Sequence, residues 1–282
     1  MESTKVEFDL MQTEMLADRY ITENATIDPL SFGVTTTVEN GTFVRIWMDV
    51  QIVFNQNGRN DQLTFTINFN PVAGQQNRTY DMNPEHLQGG VVTCIAYADV
   101  RNNYSGQVER FSSAPIYWNI KANQPKGELI RSLSTKAELS VLMYVKSSFS
   151  IFNSDGWPAF EKGFGLLRNL QPTALQIWNW KKDLEAAAAE FKSHEDKVKN
   201  IPQELRNSDP NKYAKLPDFT KEQIKIETWQ SFGTGLYYKP VQYTVIFIKK
   251  WRWEPAEEND GFANTCLKLE KEILSGTPPI NW

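Results

Sequence analysis

The residues able to do chemistry are sparse in this chain of 282 residues, which holds two histidines, two cysteines and nine tryptophans. His86 falls in the polar run Asn83-Pro84-Glu85-His86, and His194 in Ser193-His194-Glu195-Asp196. General acid–base work usually calls for a histidine or a carboxylate whose affinity for protons burial has changed. With Glu190 four residues before it and Val198 four after, His194 edges an apolar stripe, and it reads as a structural or solvated side chain. Cys94 and Cys266 stand 172 positions apart, in no C-x-x-C pair. That excludes zinc-finger, iron–sulfur and thioredoxin-type motifs, and both thiols read as small buried hydrophobes. No metal site and no cofactor are expected.

Carboxylates and glycines add little. Glu257-Glu258-Asn259-Asp260 offers oxygen ligands of the kind Ca²⁺ takes, but lacks EF-hand spacing. Acidic residues before a helix also favour its dipole, and that explains them. Lys162-Gly163-Phe164-Gly165 and Phe232-Gly233-Thr234-Gly235 lack the third glycine of a dinucleotide fingerprint and the Gly-Lys-Ser/Thr of a phosphate loop, so they read as turns. No Gly-x-Ser-x-Gly elbow is present. A pair of carboxylates flanking a sugar needs no histidine, yet nothing in the chain selects a pair.

The aromatics are more informative. Trp178 stands near Lys181 and Lys182. Tyr237 and Tyr238 precede an apolar run, and Trp251, Arg252 and Trp253 follow it in the segment Lys249-Lys250-Trp251-Arg252-Trp253. Tryptophan and tyrosine beside basic residues suit a water–lipid boundary, where an amphipathic ring keeps its polar edge wet. Paired tryptophans also stack on sugars. Core packing is the competing explanation, because Trp251 and Trp253 alternate on one face of a strand. These eight residues are the candidate partner-, membrane- or glycan-binding set.

The elements that must position them divide near 123–127, where Asn-, Thr- and Val-rich sequence gives way to Lys-, Glu- and Trp-rich sequence around Pro125 and Gly127. The expected domains are 1–124 and 125–282. In the first, strands are expected over 32–38, 43–54, 62–69, 91–100 and 114–120. Val44, Ile46, Met48, Val50 and Ile52 recur with the period of two that a half-buried strand requires. Asn57-Gly58 marks a hairpin turn, since both residues tolerate positive φ. Five to seven short strands at this spacing predict an all-β antiparallel sandwich. The strand holding Cys94 and Tyr97, followed by the closing strand Ala114–Ile120, resembles an immunoglobulin or fibronectin-type module, without the Cys…Trp…Cys arrangement of true immunoglobulin domains. The resemblance implies architecture only.

The second half reads as an α+β domain with one long amphipathic helix. The apolar run 138–145, continuing to 152, predicts strands. A short helix is expected from Trp157-Pro158 to Asn169. The long helix is expected over 173–199, with Ile177, Trp180, Leu184, Ala188, Phe191 and Val198 on one side and Pro202 just past its end. A polar linker is expected over 203–217, a strand over 224–232 with a helix over 222–226 as the alternative, a strand over 237–248, and a closing helix over 262–274, capped by Asn259-Asp260.

Charge narrows the partners. The net charge is −4, and residues 1–125 hold 8 Lys+Arg against 14 Asp+Glu. Residues 126–282 hold 22 against 20, together with seven of the nine tryptophans. An acidic front and a mixed rear form no phosphate-binding surface, so nucleic acid is not expected. The N-terminal sequence lacks the basic and apolar regions of a signal peptide, and no run approaches the ~18 apolar residues of a membrane span. Cytoplasmic residence, or release without a conventional signal, is the expected location.

Three classes of function follow. The first is a non-catalytic binding protein, toxin-like or cytolytic in its sharpest form, that meets a membrane, a glycan or a protein through its rear half. Segments 140–152 and 237–253 are its candidate membrane-active hairpins. The second is a structural or self-assembling subunit of a particle, inclusion or tail, which implies a homo-oligomer. The third is a carboxylate-dependent carbohydrate-active enzyme.

Overall fold

The structure is a computed structural model that describes residues 3–10, 17–246, 248–257, 259–280 and 282. It is a mixed α+β fold, with antiparallel sheets and seven α-helices among the described residues. Contacts group the chain into two compact units. One comprises 1–125, 151–164 and 170–181, and the other comprises 126–150, 165–169 and 182–282.

The first unit carries nine strands: β1 (Lys5–Asp9), β2 (Arg19–Ile21), β3 (Leu30–Glu39), β4 (Gly41–Phe54), β5 (Asp61–Phe69), β6 (Gly74–Tyr80), β7 (Gly90–Asn102), β8 (Val108–Ser112) and β9 (Ile116–Ala122). A six-stranded sheet runs β2-β9-β7-β4-β5, with β8 also paired to β7, and a three-stranded sheet runs β1-β3-β6. Pairing is antiparallel except between β2 and β9. Ile46, Met48, Val50, Ile52 and Phe54 of β4 are buried with Val92, Cys94, Ala96, Ala98 and Val100 of β7, so one face of the sheet forms the core. The expected alternation fails at one residue. A bulge between Phe43 and Arg45 shifts the register, so Phe43 is buried and Val44 is 46% exposed. Bulges re-aim side chains in this way. Asn57 (φ 52°) and Gly58 (φ 79°) form the turn between β4 and β5 as expected. The strands β1, β2, β6 and β8 were not expected. β6 reads GQQNRTY, and its polarity suits the edge of a sheet. Helix α3 (Ala174–Trp178, numbered in chain order) also belongs to this unit, opened by a Thr173/Gln176 capping box.

The second unit contains α1 (Gly127–Leu133), α2 (Ala137–Ser147), α4 (Trp180–Ser208, whose first two residues fall in the first unit), α5 (Pro210–Tyr213), α6 (Lys221–Gln230) and α7 (Phe262–Leu274). It also holds a two-stranded antiparallel hairpin, β10 (Tyr238–Val245) and β11 (Ile248–Pro255). Several expectations are corrected here. Residues 138–145 form helix α2, with Leu139, Val141, Leu142 and Met143 all buried, so the apolar run is that of an enclosed helix. Residues 224–232 are mostly α6, opened by a Thr220/Gln223 capping box that favours a helix over the β-branched reading. Residues 157–169 form no helix, only bends, turns and the isolated bridges Phe152–Pro158 and Phe160–Phe164. The long helix is interrupted at the extended residue Asn179, and it then runs past Pro202 to Ser208. The residues expected as a linker are the end of that helix, α5 and the approach to α6. The apolar run 237–248 is not one strand, because the chain reverses after Val245 and Ile248 opens the next strand.

Candidate functional site

The eight candidate residues fall in different places. Trp178 is fully buried, which corrects its place in the candidate binding set, since it offers no surface to a partner, membrane or glycan. It packs against Phe54 at 5.3 Å, Phe152 at 6.1 Å and Trp157 at 6.1 Å, all within the first unit. Lys181 lies 5.8 Å from the Trp180 ring, and Lys182 pairs with Glu185 at 3.3 Å. The other five gather at the β10–β11 hairpin of the second unit.

The hairpin register sorts these residues by face. Tyr238 pairs with Pro255, Pro240 with Trp253, Gln242 with Trp251 and Thr244 with Lys249, and these share one face. Lys239 with Glu254, Val241 with Arg252, Tyr243 with Lys250 and Val245 with Ile248 share the other. At the base, Trp253 is buried, its ring 4.2 Å from Phe219, and its Nε1–H donates to the Pro217 carbonyl at 2.9 Å. Tyr238 is buried beside the same Phe219. Half way out, Trp251 meets Tyr213 at 5.1 Å. On the opposite face the Arg252 guanidinium lies 5.0 Å from the Tyr243 ring and pairs with Glu254. So Trp253 and Tyr238 anchor the hairpin, as the core-packing explanation has it, while Tyr237, Trp251 and Arg252 remain partly or fully exposed.

A buried carboxylate fixes the base. Glu227 of α6 is 1% exposed and accepts the Tyr237 N–H at 3.1 Å and the Tyr238 N–H at 2.9 Å. Burial raises its pKa, and the two backbone bonds offset only part of that. The turn leading into β10 is held by Asp260, which accepts the Thr234 N–H at 2.8 Å and the Gln230 amide at 2.7 Å. Burial alone would raise the Asp260 carboxyl, but those bonds and the Phe262 N–H outweigh it and hold it below its ordinary value. A side chain at Gly233 would collide with this carboxylate, with a Cβ placed 2.7 Å away. The glycine pair 233–235 is therefore a packed turn, as expected. Asp260 does bond the first N–H of α7, whose N-cap residue is Gly261. Asn259 holds Gly261 instead, and Glu258 lies outside the described residues.

The far end of the hairpin obeys no packing rule. Ile246 is 85% exposed, Ile248 58% and Val245 39%. Because Val245 pairs with Ile248, two residues reverse the chain. Such turns favour Asn-Gly, whose backbones accept positive φ without steric cost. Here the sequence is Ile246-Phe247, and Ile246 sits at φ 46°. A β-branched residue in the left-handed region costs about 1–2 kcal/mol. Lys249 and Lys250 follow at once, both exposed, and exposed Lys239 lies nearer the base. An apolar tip on a basic stem results.

Other titratable clusters are occupied structurally. His194 Nδ1 lies 2.8 Å from Ser231 Oγ, a spacing that resembles a nucleophile and its base. Ser231 Oγ also contacts the Thr228 carbonyl at 2.6 Å, and a carbonyl can only accept. The single hydroxyl proton is therefore committed to Thr228, and His194 is the donor to Ser231. The ring stacks on Phe232 at 4.1 Å, and burial lowers its pKa, with Lys197 and Lys146 adding to the effect. This is a satisfied mid-helix histidine bonded to the C-cap serine of α6, not a general base. Asp183 is buried and accepts the Leu166 N–H at 2.7 Å, and burial pushes it up to about 7. Cys94 and Cys266 are buried free thiols that burial pushes up to about 11 and about 12. Among the described residues no group of three His, Cys, Asp or Glu side chains could hold a metal ion, and no helix is long and apolar enough to cross a membrane.

The tip was not legible in the sequence. The run Val241–Ile248 holds no Asn, Gly or Asp to mark a turn, so it reads as one continuous strand. No family model matches the chain, and no curated protein matches it. Among solved structures the chain is similar to a crystal structure of Spo0M, sporulation control protein, from Bacillus subtilis, at 11% identity and a TM-score of 0.22. That likeness covers 44% of this chain and about half (51%) of the other.

Proposed function

We propose that this is a non-catalytic, peripheral membrane-binding protein whose β10–β11 hairpin dips its tip into an anionic bilayer surface. The single observation that carries the reading is Ile246, a large apolar residue held at positive φ and 85% exposed to water. Strain retained at an exposed tip points to a function for the side chain that is strained. Val245, Ile246 and Ile248 bring burial energy of about 1.5–3 kcal/mol for a fully exposed side chain, and less for one already half covered. Lys239, Lys249 and Lys250 add about 1 kcal/mol each near an anionic leaflet. Arg252 counts for little because Glu254 already pairs with it. The two contributions are of similar size and neither suffices alone, so binding is reversible and depends on both anionic lipid and low salt.

The hairpin does not span the bilayer in this reading. Lys249 lies on one face and Lys250 and Arg252 on the other, all within six residues of Ile246. Charges on both faces of a strand pair exclude it from hydrocarbon. Only the tip enters, with Tyr243 and Trp251 near the headgroups. A toxin-like or cytolytic role stays within this proposal as attachment to the target surface, with any lysis needing more than the hairpin itself. The β-rich unit is read as a sandwich of its two sheets with immunoglobulin- or fibronectin-like layering. Ring contacts from β5 to β3 and β6 (Phe32–Phe65 at 5.9 Å, Phe65–Tyr80 at 3.9 Å) support it.

Co-sedimentation with vesicles of phosphatidylcholine, with and without phosphatidylserine, tests the membrane reading. The protein is expected to pellet only with the anionic vesicles and to be released by salt. Equal pelleting by Ile246→Asp and the parent protein would falsify it.

A further inference from the structure

We propose that the outward face of the six-stranded sheet is a binding site for a neutral oligosaccharide, independent of the hairpin. The residues that point away from the core on β4, β5 and β7 are not surface filler. Asp49, Gln51, Thr64, Thr66, Thr93 and Ile95 line a cavity of about 490 Å³ on this face. The register brings them together: Asp49 lies opposite Thr66 and Ile95, and Gln51 lies opposite Thr64 and Thr93. The Thr66 hydroxyl donates to Asp49 at 2.8 Å. Gln51 and Thr93 are half-buried and Thr64 is exposed, so an amide and two hydroxyls face the cavity.

Aromatics border it in two directions, across the sheet and along the strands. Tyr117 of β9, directly opposite Thr93, is 57% exposed. Further along β4 and β7, one same-face row past Asp49 and Ile95, Trp47 stacks on Tyr97 at 5.3 Å, with Arg45 and Arg110 at 4.6 and 4.9 Å from the indole. Arg45 bonds the Asn68 amide oxygen at 3.2 Å and Arg110 pairs with Asp99 at 2.9 Å, both beside Trp47, while the residues that line the cavity include one carboxylate and no cation.

These features match one ligand class. A hexose offers hydroxyls that both donate and accept, suited to one carboxylate, one amide and a row of threonine hydroxyls. Its flat C–H face suits an exposed tyrosine ring. From β9 to β5 the face spans three inter-strand steps, roughly 14 Å, about the length of a di- or trisaccharide. A rigid sheet holds the groups in register before the ligand arrives, which limits the ordering cost of binding.

Affinity electrophoresis of the full chain through gels containing laminarin, galactomannan, xylan or glycogen tests the proposal, with heparin as an anionic control. At least one neutral polysaccharide is expected to retard the protein. Tyr117→Ala combined with Gln51→Ala is expected to weaken that retardation about tenfold or more, the loss of one or two buried polar or stacking contacts. Both positions are on the solvent face, so the double variant is expected to keep the parent's circular dichroism and melting midpoint. Ile246→Asp is expected to be retarded as strongly as the parent, which separates this site from the hairpin. Retardation by none of the neutral gels, retardation by heparin alone, or retardation unchanged in the double variant each overturns the proposal.

Discussion

The β4–β5 and β10–β11 hairpins solve the same chain reversal with opposite chemistry. The first turns through Asn57 and Gly58, both at positive φ, and carries its apolar residues on one face, into the core. The second turns at Ile246, also at positive φ, and puts its apolar residues at the exposed end. A chain shaped only by folding would place Asn-Gly in both turns. The difference teaches that the first hairpin is explained by the stability of its own unit and the second is not.

The largest expected effect tests that division in the first hairpin. Phe54 ends β4, fully buried against Trp157, Phe164 and Trp178. Phe54→Ala should cost about 3–5 kcal/mol in urea unfolding. Ile246→Ala should change stability by no more than about 0.5 kcal/mol, as for any surface side chain without a structural role. Comparable losses at the two positions would erase the contrast.

Next comes the anchor of the second hairpin. Glu227→Gln leaves one carbonyl oxygen for two N–H donors and is expected to cost about 1–3 kcal/mol. It also carries a pH signature. A buried acid whose pKa is raised in the fold binds its proton more tightly folded than unfolded, so its charged form works against folding. The parent should gain stability from this group as pH falls from neutrality towards 4.5, and Glu227→Gln should lack that component. Melting midpoints of the two proteins across that range check the sign.

The smallest effects come from exchanging turn chemistry. Asn57→Ile is expected to cost about 1–2 kcal/mol, because a β-branched residue then occupies the left-handed region. Ile246→Asn is expected to stabilise the protein by up to about 1 kcal/mol while removing vesicle binding. A stabilising substitution that abolishes a function is the sharpest form of the comparison.

Much of the first hairpin was legible in the sequence, because alternation and Asn57-Gly58 are local signals. β7 and β9 were legible for the same reason. Residues 138–145 were not, since a helix buried on most sides shows the same apolar run as a buried strand. The start of α6 was legible only through its Thr220/Gln223 capping box. Trp178 and Trp180 sit two residues apart on what reads as one helix, and the break at Asn179 changes what each of them faces. The aromatic and basic residues of the second hairpin were visible as a cluster. Their division into anchors and exposed groups depends on register, and no turn residue in the sequence reveals that register.

The central claim is that the residue at position 246 enters lipid, and its environment can be read directly. Ile246→Cys gives one exposed thiol, while Cys94 and Cys266 are buried and held protonated up to about 11 and about 12. A polarity-sensitive fluorophore therefore attaches at that position alone. With anionic vesicles its emission should shift to the blue and be quenched by spin-labelled acyl chains, and added salt should reverse both changes. An emission that stays that of water while the protein pellets with the vesicles would contradict the account.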